Sequence, residues 1–541
     1  MIVPCSRMTE ITSPGTAVAS SRGHRVAALS GFLAAAAALG TGELLSGLSR
    51  KIPSLVLGVA GVFVDETPGG IVRWSIDTFG AKQKTLLVTG VVVASLLLGA
   101  LFGILSRRSR AVGAVGFAAF GVIGGWAAAR EAQSSDFLSW LSALVSVGVG
   151  VAALTVLLAK SVPERVKPEP YAADPNHPTP MSRLSLNRRG FLVASSATAA
   201  WAVIGTGLGR RLRQSANVAA AREELAPRLA TGPVIVPAGV ETFDKSVRGI
   251  SPIITSNRDF YRTDASLLVP QVDPDDWSLR ITGMVDREIE FSFEELLAME
   301  RIEEFITLAC VSNEVGGDLV GNARWSGVPL PALLDLAGVA AGASQIVGRS
   351  VDGWTAGFPT ELALDGRPSM VALTMNGVPL PVKHGFPARL LVPGLYGYVS
   401  ATKWLTEIEL TTWEAFDGYW IPRGWAKEGP IRVQSRIDVP RRFETIKAGR
   451  TAVAGVAWGP ARSISRVEVQ IDDGPWVAAR LSGELSENAW FQWVYEWDAA
   501  PGSHFITVRA TDGTGETQTA KRSQPAPSGA TGYHSINVDV K

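Results

Sequence analysis

Cysteine is almost missing from this chain of 541 residues: Cys5 and Cys310 are the two present. Two thiols exclude a disulfide framework, a Cys-rich structural zinc site and an iron–sulfur cluster held by four thiolates. Histidine is nearly as scarce, with five: His24, His177, His384, His504 and His534. No Cys-x-x-Cys-His run occurs, so no c-type haem is expected. Charged residues are 19% against 46% hydrophobic, which excludes disorder of the whole chain. The net charge of +1 gives no reason to expect a nucleic-acid partner.

That near-neutral total hides a split. Residues 1–220 hold 21 basic and 10 acidic side chains, and the rest hold 30 and 40. A basic, apolar part is joined to an acidic, soluble part. In the first part, residues 85–105, 111–129 and 137–159 carry no charge. Each is long enough to cross a hydrocarbon core of about 30 Å as a helix. Residues 26–49, interrupted by Glu43, make a fourth span and 190–209 a fifth. The run 52–64 is too short and is read as re-entrant or interfacial; if it crossed, the parity of the topology would flip. Residues 1–213 are therefore expected to be an α-helical membrane domain with about five transmembrane helices. No histidine lies in these predicted spans, so a bis-His b-type haem is not expected either.

Basic clusters set the orientation. Arg22 and Arg25 precede the first span, Arg107, Arg108 and Arg110 lie between two spans, and Lys160, Arg165, Lys167, Arg183, Arg188 and Arg189 precede the last. Placing these inside puts the C-terminal part outside the cytoplasm, on a multi-pass protein of the cell membrane. Lys82, Lys84, Arg210, Arg211 and Arg213 then fall on the outer side. The run Asn187-Arg188-Arg189-Gly190-Phe191-Leu192 opens the last span and resembles a twin-arginine export signal.

Residues 214–250 read as a linker with a short helix. From 251 to 430 the pattern is α+β, with strand-like runs at 277–284, 305–309, 388–393 and 403–411. Helices are expected over 293–300, after Ser292 as N-cap, and over 329–337. Residues 431–541 show short alternating strands, such as 465–471 and 504–510, punctuated by Asp473-Gly474, Pro501-Gly502 and Asp512-Gly513. That spacing predicts a β-sandwich.

The chemistry-bearing run is Leu308-Ala309-Cys310-Val311-Ser312-Asn313-Glu314-Val315-Gly316-Gly317. One cysteine ends an apolar run where a polar, Gly-rich loop begins. Such a thiolate is a nucleophile, a metal ligand or an inert buried residue, and the run alone does not choose. Downstream lie Met375-Asn376-Gly377-Val378-Pro379-Leu380-Pro381, His384-Gly385-Phe386-Pro387-Ala388-Arg389-Leu390 and Lys403-Trp404-Leu405. Together with the cysteine loop these resemble the sulfite oxidase family of molybdopterin enzymes. The resemblance covers roughly 251–541, and the sandwich-like tail resembles that family's immunoglobulin-like dimerisation domain.

The resemblance implies a molybdenum cofactor with a single pterin and Cys310 as the thiolate on the metal, a soft ligand suited to it. It implies that Tyr261, Arg262, Asp264, Thr355, His384, Arg389, Ser400, Thr402 and Lys403 bind the cofactor. Arg389 and Lys403 would meet phosphate and pterin polar atoms, and His384 would donate from a ring nitrogen. Arg262, in Phe260-Tyr261-Arg262-Thr263-Asp264, keeps the arginine bordering the metal site and would orient a substrate oxygen; Asp264 stands where the family has histidine. Glu314 stands near the position of a family arginine, and Leu373 precedes the Met-Asn-Gly run where sulfite oxidases carry tyrosine. Sulfite, a dianion, is disfavoured by these changes. The expected function is two-electron oxygen-atom transfer on a small or protein-borne oxo substrate: an S-oxide, sulfite or a related compound. Electrons would pass through a separate membrane or soluble carrier, and a homodimer would form through the C-terminal domain. The alternative is a non-catalytic, membrane-tethered binding or adaptor protein that retains the fold.

Overall fold

A computed structural model describes residues 14–49, 51–131, 134–161, 188–215 and 218–541. Asn187, the Arg188 side chain, and Arg165, Lys167 and Arg183 of the last basic cluster lie outside the described residues or side chains. The chain divides into two compact units, Met1–Asn217 and Val218–Lys541.

The first unit is helical: α1 (Pro14–Leu48), α2 (Leu55–Glu66), α3 (Gly69–Phe79), α4 (Gln83–Leu105), α5 (Arg110–Ala129), α6 (Asp136–Ser161) and α7 (Arg188–Ser215). Among the described residues five stretches are long and apolar enough to cross a membrane: Gly23–Leu48, Gln83–Leu105, Arg110–Ala129, Asp136–Ser161 and Arg189–Arg213. These coincide with the five spans expected, and α2, at 12 residues, is too short to be a sixth. The first span starts early enough to take in His24, contrary to the expectation of no histidine there.

Glycine explains the packing. Gly31 lies against Gly99 and Gly103, and Gly40 and Gly47 lie against Ala202 and Gly209, so α1 meets α4 and α7 backbone to backbone. In a bilayer, where lipid is as apolar as leucine, close approach of small residues is what holds helices together. A polar cluster adds to this: Arg213 Nη2 donates to Glu43 Oε2 at 3.0 Å, and Ser54 and Ser46 hydrogen-bond into the same cluster. Leu97, Val115, Leu144 and Val203 are exposed, as lipid-facing side chains would be.

The second unit opens with α8 (Ala219–Leu229). The expected linker is a correction here. Val218, Leu225 and Leu229 are buried in the main core, and Phe243, Val247 and Ile250 pack with Ala454 and Val494. Apolar spacings of four and seven residues give this strap an inward face, so its described part, 218–250, belongs to the soluble unit.

Its α+β part holds β1 (Ser278–Gly283), β2 (Ile289–Ser292), α9 (Phe293–Ala298), β3 (Ile302–Ala309), β4 (Val320–Pro329), α10 (Leu330–Ala337), β5 (Gln345–Ser350) and β6 (Thr355–Pro359). There follow α11 (Glu361–Leu364), β7 (Met370–Met375), β8 (Val378–Pro379), β9 (Arg389–Leu391), α12 (Gly397–Ser400) and β10 (Leu405–Thr411). One sheet runs β2-β1-β10-β5-β6, with β1 and β10 parallel; the other runs β3-β4-β7-β8, with β9 on β7. Ser292 caps α9 in a full capping box with Glu295, as its position predicted.

The C-terminal strands are β11 (Gln434–Val439), β12 (Thr445–Ile446), β13 (Gly449–Trp458), β14 (Ile464–Ile471), β15 (Val477–Ala478), β16 (Arg480–Leu481), β17 (Phe491–Ala499), β18 (Gly502–Asp512) and β19 (His534–Val540). They form two sheets, β11-β13-β17-β16 and β12-β19-β18-β14-β15. The alternation seen in sequence buries Val453, Val467, Trp493, Val508 and Ile536 between them. The sandwich is fused to the α+β part: Trp490 Nε1 donates to Ile253 O at 2.8 Å, and its backbone N–H to Thr307 Oγ1 at 2.8 Å.

Candidate functional site

The β3–β4 ladder runs from Ile302 opposite Gly327 to Ala309 opposite Val320. It continues one rung further, because Cys310 N–H donates to Leu319 O at 2.9 Å. Cys310 therefore stands at the mouth of the hairpin, and 311–318 form its loop. Asn313 keeps that loop shut: its N–H donates to Cys310 O at 3.0 Å and its Oδ1 accepts from Leu319 N–H at 2.9 Å. The thiol is 8% exposed. Burial pushes it up, opposed by hydrogen bonds from the Ser312 N–H and from the Thr263 and Ser312 hydroxyls. Cys310 could hold a metal as thiolate, since a cation there would offset the cost of burying its charge.

Phe260 builds the wall beside it. Its ring stacks on Tyr261 at 5.3 Å and meets Trp325 and His384 edge-on at 5.8 and 5.7 Å. Arg389, the first residue of β9, is buried over the Trp325 ring at 5.1 Å, and its Nη1 donates to His384 O at 3.1 Å. Burial lowers Arg389 to about 10, so it stays cationic at neutral pH. Its Nε is buried without a hydrogen-bond partner. Burial raises the Tyr261 phenol, the nearby Cys310 adds to this and Arg389 opposes it, so the phenol keeps its proton.

The second face is ionic. Asp264, 2% exposed, is paired with both Lys403 Nζ and Arg262 Nε. Lys403 also donates to Thr263 O at 3.1 Å and lies over the Trp404 ring at 4.8 Å. Arg262 is the outermost, 41% exposed. Thr263 thus links the two faces: its hydroxyl reaches the Cys310 thiol and its carbonyl reaches Lys403.

His384 differs from expectation in one respect. Its Nε2 lies 3.2 Å from Asn257 O, and a carbonyl can only accept, so the ring's one N–H is spent there. Burial, with Arg389 next, lowers its pKa to about 3, so the ring is neutral and offers Nδ1 as an acceptor, not a donor.

Three other expected residues are committed elsewhere. Thr355 Oγ1 accepts from Tyr419 N–H at 3.1 Å; Ser400 Oγ bonds Tyr396 O at 3.2 Å; Thr402 Oγ1 bonds Gly348 O at 3.4 Å. Sequence reasoning missed Asn257 and Arg324. Asn257 holds His384, and Asn376 donates to Asn257 Oδ1 at 2.8 Å while its own Oδ1 accepts from Arg324 N–H at 2.9 Å. The signal available was Asn376-Gly377, a left-handed turn at φ of 51° and 79°. Tyr396, buried at 4% exposure, was also missed; its phenol is raised by burial and lies in the field of Cys310.

These groups suit a metal carried by an anionic organic cofactor. One described thiol, three cationic side chains against one carboxylate, and a buried Arg389 Nε wanting an acceptor match a thiolate-ligated metal with a phosphate-bearing pterin. Among the described residues no group of three His, Cys, Asp or Glu is placed to hold a metal alone. By contrast, the apolar cavity of about 110 Å³ bounded by Ala35, Leu55, Phe102, Phe117 and Ser146 is lined by membrane-unit residues and holds none of this chemistry.

Comparison with known proteins finds molybdopterin-binding relatives. Residues 266–420 match the family described as oxidoreductase molybdopterin binding domain. The chain is 30% identical over 302 residues to mitochondrial sulfite oxidase of Homo sapiens, covering 47% of this chain and 55% of that protein. It is 35% identical over 153 residues to the uncharacterized oxidoreductase YuiH of Bacillus subtilis, covering 28% of this chain and 74% of that one. The chain thus spans about half the length of the first curated relatives it matches. Among solved structures, the sulfane dehydrogenase SoxCD from Paracoccus pantotrophus is 24% identical, with a TM-score of 0.47, covering 54% of this chain and 84% of that one.

Proposed function

We propose that this chain, which belongs to the sulfite oxidase family of molybdopterin oxidoreductases, is a membrane-anchored enzyme of two-electron oxygen-atom transfer. The observation that carries this is the placement of the Cys310 thiol, through Thr263, beside an ionic cluster of Lys403, Asp264 and Arg262, with Arg389 and its unmatched Nε close by. The bound molybdenum group supplies the change of two electrons and the site where oxygen is gained or lost. The chain's own residues bind, orient and exclude. Cys310 ligates the metal; Arg389 and Lys403 meet phosphate and pterin polar atoms. Neutral His384 accepts a hydrogen bond at Nδ1, and the Tyr261 phenol donates one.

Arg262 is the residue exposed enough to meet substrate, and Asp264 fixes its fork while cancelling part of its charge. Half-neutralised, it suits a polar S=O oxygen better than a dianion. Exposed Glu314 and fully buried Leu373 offer no replacement cation or phenol. A neutral S-oxide, small or protein-borne, is therefore the favoured substrate class over sulfite.

The five apolar helices support a membrane anchor, and the basic clusters support an extracytoplasmic head exported through the twin-arginine-like motif. Electrons arrive through a separate membrane or soluble carrier, and the sandwich, of immunoglobulin-like type, pairs two copies. The test is metal and pterin content of chain purified from a host that makes the cofactor. About one of each per chain is expected, in line with a single thiolate site, and both fall with Cys310→Ser. Dye-coupled reduction of an S-oxide should vanish in the same variant. Chain free of molybdenum from that host would end the proposal.

A further inference from the structure

We infer that the C-terminal sandwich sets the geometry of the Cys310 loop, with Arg436 and His534 acting as positioning residues for the thiol. The loop is closed at its base by Cys310–Leu319 and Asn313–Leu319 hydrogen bonds, and Gly317 N–H donates to Glu314 O at 2.9 Å. A force on Gly316 and Gly317 is therefore transmitted to the backbone of Cys310. Both glycines are held from the sandwich.

Arg436, on β11, uses its whole fork. Nη1 donates to Gly317 O at 2.7 Å, Nη2 to Ser251 Oγ at 2.8 Å, and Nε to Asp438 Oδ1 at 2.8 Å. The guanidinium and the carboxylate are 11% and 9% exposed, so these bonds are sheltered from water. Hydrogen bonds from a charged donor are stronger than those between neutral groups. One cation thus pins the cysteine loop to Ser251 and to its own strand.

His534 opens β19. Its Nδ1 accepts from Ile437 N–H at 2.9 Å, which fixes the ring's rotation next to Arg436. The other edge of the ring lies on Gly316, whose φ is +82°. A methyl group there would land inside the imidazole edge, so glycine is required both for the backbone and for the contact. The imidazole is a wall and Arg436 is a tether. Neither belongs to the apolar core of the sandwich, which closes around Val453, Val467 and Trp493. They face the loop instead, so the sandwich contributes to the site and not only to association.

This inference rests on the cofactor reading above for its consequence, but its first measurement does not. In a Cys5→Ser background Cys310 is the remaining thiol. Cofactor-free full chain is labelled with a maleimide and the rate recorded. Loss of the Gly317 tether should speed labelling about tenfold or more in Arg436→Ala, and less in Arg436→Lys, which keeps one donor. His534→Ala should also speed it, while His534→Asn, which keeps an acceptor for Ile437 N–H, should stay nearer to the parent. Arg436→Lys and His534→Asn keep the test decisive where an alanine variant does not fold. Equal rates across folded variants overturn the inference. The second measurement uses the loaded chain: the Mo(V) resonance should shift in Arg436→Ala at unchanged molybdenum content. Absent molybdenum in the parent chain, with labelling rates that still differ, sinks the cofactor reading and leaves the clamp standing. Molybdenum present with an unmoved resonance and equal rates does the opposite.

Discussion

Asn376 offers a perturbation whose size follows from the structure. Its backbone is left-handed, φ 51°, between β7 and β8. Its side chain makes three bonds: Oδ1 from Arg324 N–H at 2.9 Å, and Nδ2 to Thr255 O and Asn257 Oδ1, both at 2.8 Å. Gly substitution keeps the backbone and loses the bonds. At about 0.5–1.5 kcal/mol per neutral bond, Asn376→Ala, which keeps a Cβ as the parent does, should cost roughly 2–4 kcal/mol. Asn376→Gly loses the same bonds but relieves about 1–2 kcal/mol by removing a Cβ from the left-handed region. The Ala-minus-Gly difference thus reads backbone strain, and the Ala-minus-parent difference reads the side-chain bonds. Thermal denaturation of the detergent-purified chain, with molybdenum retention measured alongside, gives both. Retention should fall in both variants, because Asn257 carries His384 through its carbonyl. Gly and Ala variants of equal stability would refute the strain assignment, and an Ala variant as stable as the parent would refute the network.

Three further outcomes are expected. His384 and His534 are held to about 3 and about 4, while an unfolded imidazole titrates near 6.5. Their lowered folded values mean the unfolded chain binds more protons below pH 6.5. Stability from each ring is full above 6.5 and falls on acidification by up to roughly 1.4 kcal/mol per pH unit until the folded value is reached. Replacing both rings with Gln should flatten the loss of Tm between pH 6.5 and 4, and an unchanged slope would contradict their burial as neutral rings. In the membrane unit, Arg213→Met strands Glu43, 13% exposed, at a cost of roughly 1–3 kcal/mol, less than a fully buried pair because the guanidinium is 26% exposed. Adding Glu43→Gln should recover most of that loss in detergent melts, and a double variant no better than the single would deny the pairing. Gly209→Ala drives a methyl into Glu43 O, whereas Gly207→Ala meets nothing within 4 Å. The first should destabilise by about 1–3 kcal/mol and the second stabilise by up to about 1 kcal/mol. Equal effects would show that α1 and α7 do not touch there.

Some of this protein was decided locally. Apolar runs of about twenty residues specify long helices without a distant partner, so the five helices apolar enough to cross a membrane were readable without coordinates. Ser292 three residues before Glu295, and alternating apolar residues in 465–471 and 504–510, likewise need no distant partner to specify helix start and strand. The linker was misread because its apolar residues are sparse, and their burial depends on surfaces hundreds of residues away.

The candidate site divides in the same way. Residue type and order in the Cys310 loop, the Met-Asn-Gly turn and the His-Arg-Lys set carry a family resemblance, and that resemblance implied thiolate ligation and an anionic cofactor, to which soft sulfur and fixed cations are suited. Which ring nitrogen of His384 carries the proton, how Asp264 divides itself between Lys403 and Arg262, and that Arg436 and His534 grip the thiol loop were settled by tertiary structure alone. Apart from the local Arg262–Asp264 pair, each of those depends on a partner distant along the chain whose carbonyl, carboxylate or glycine is brought within bonding distance only when the sheets close.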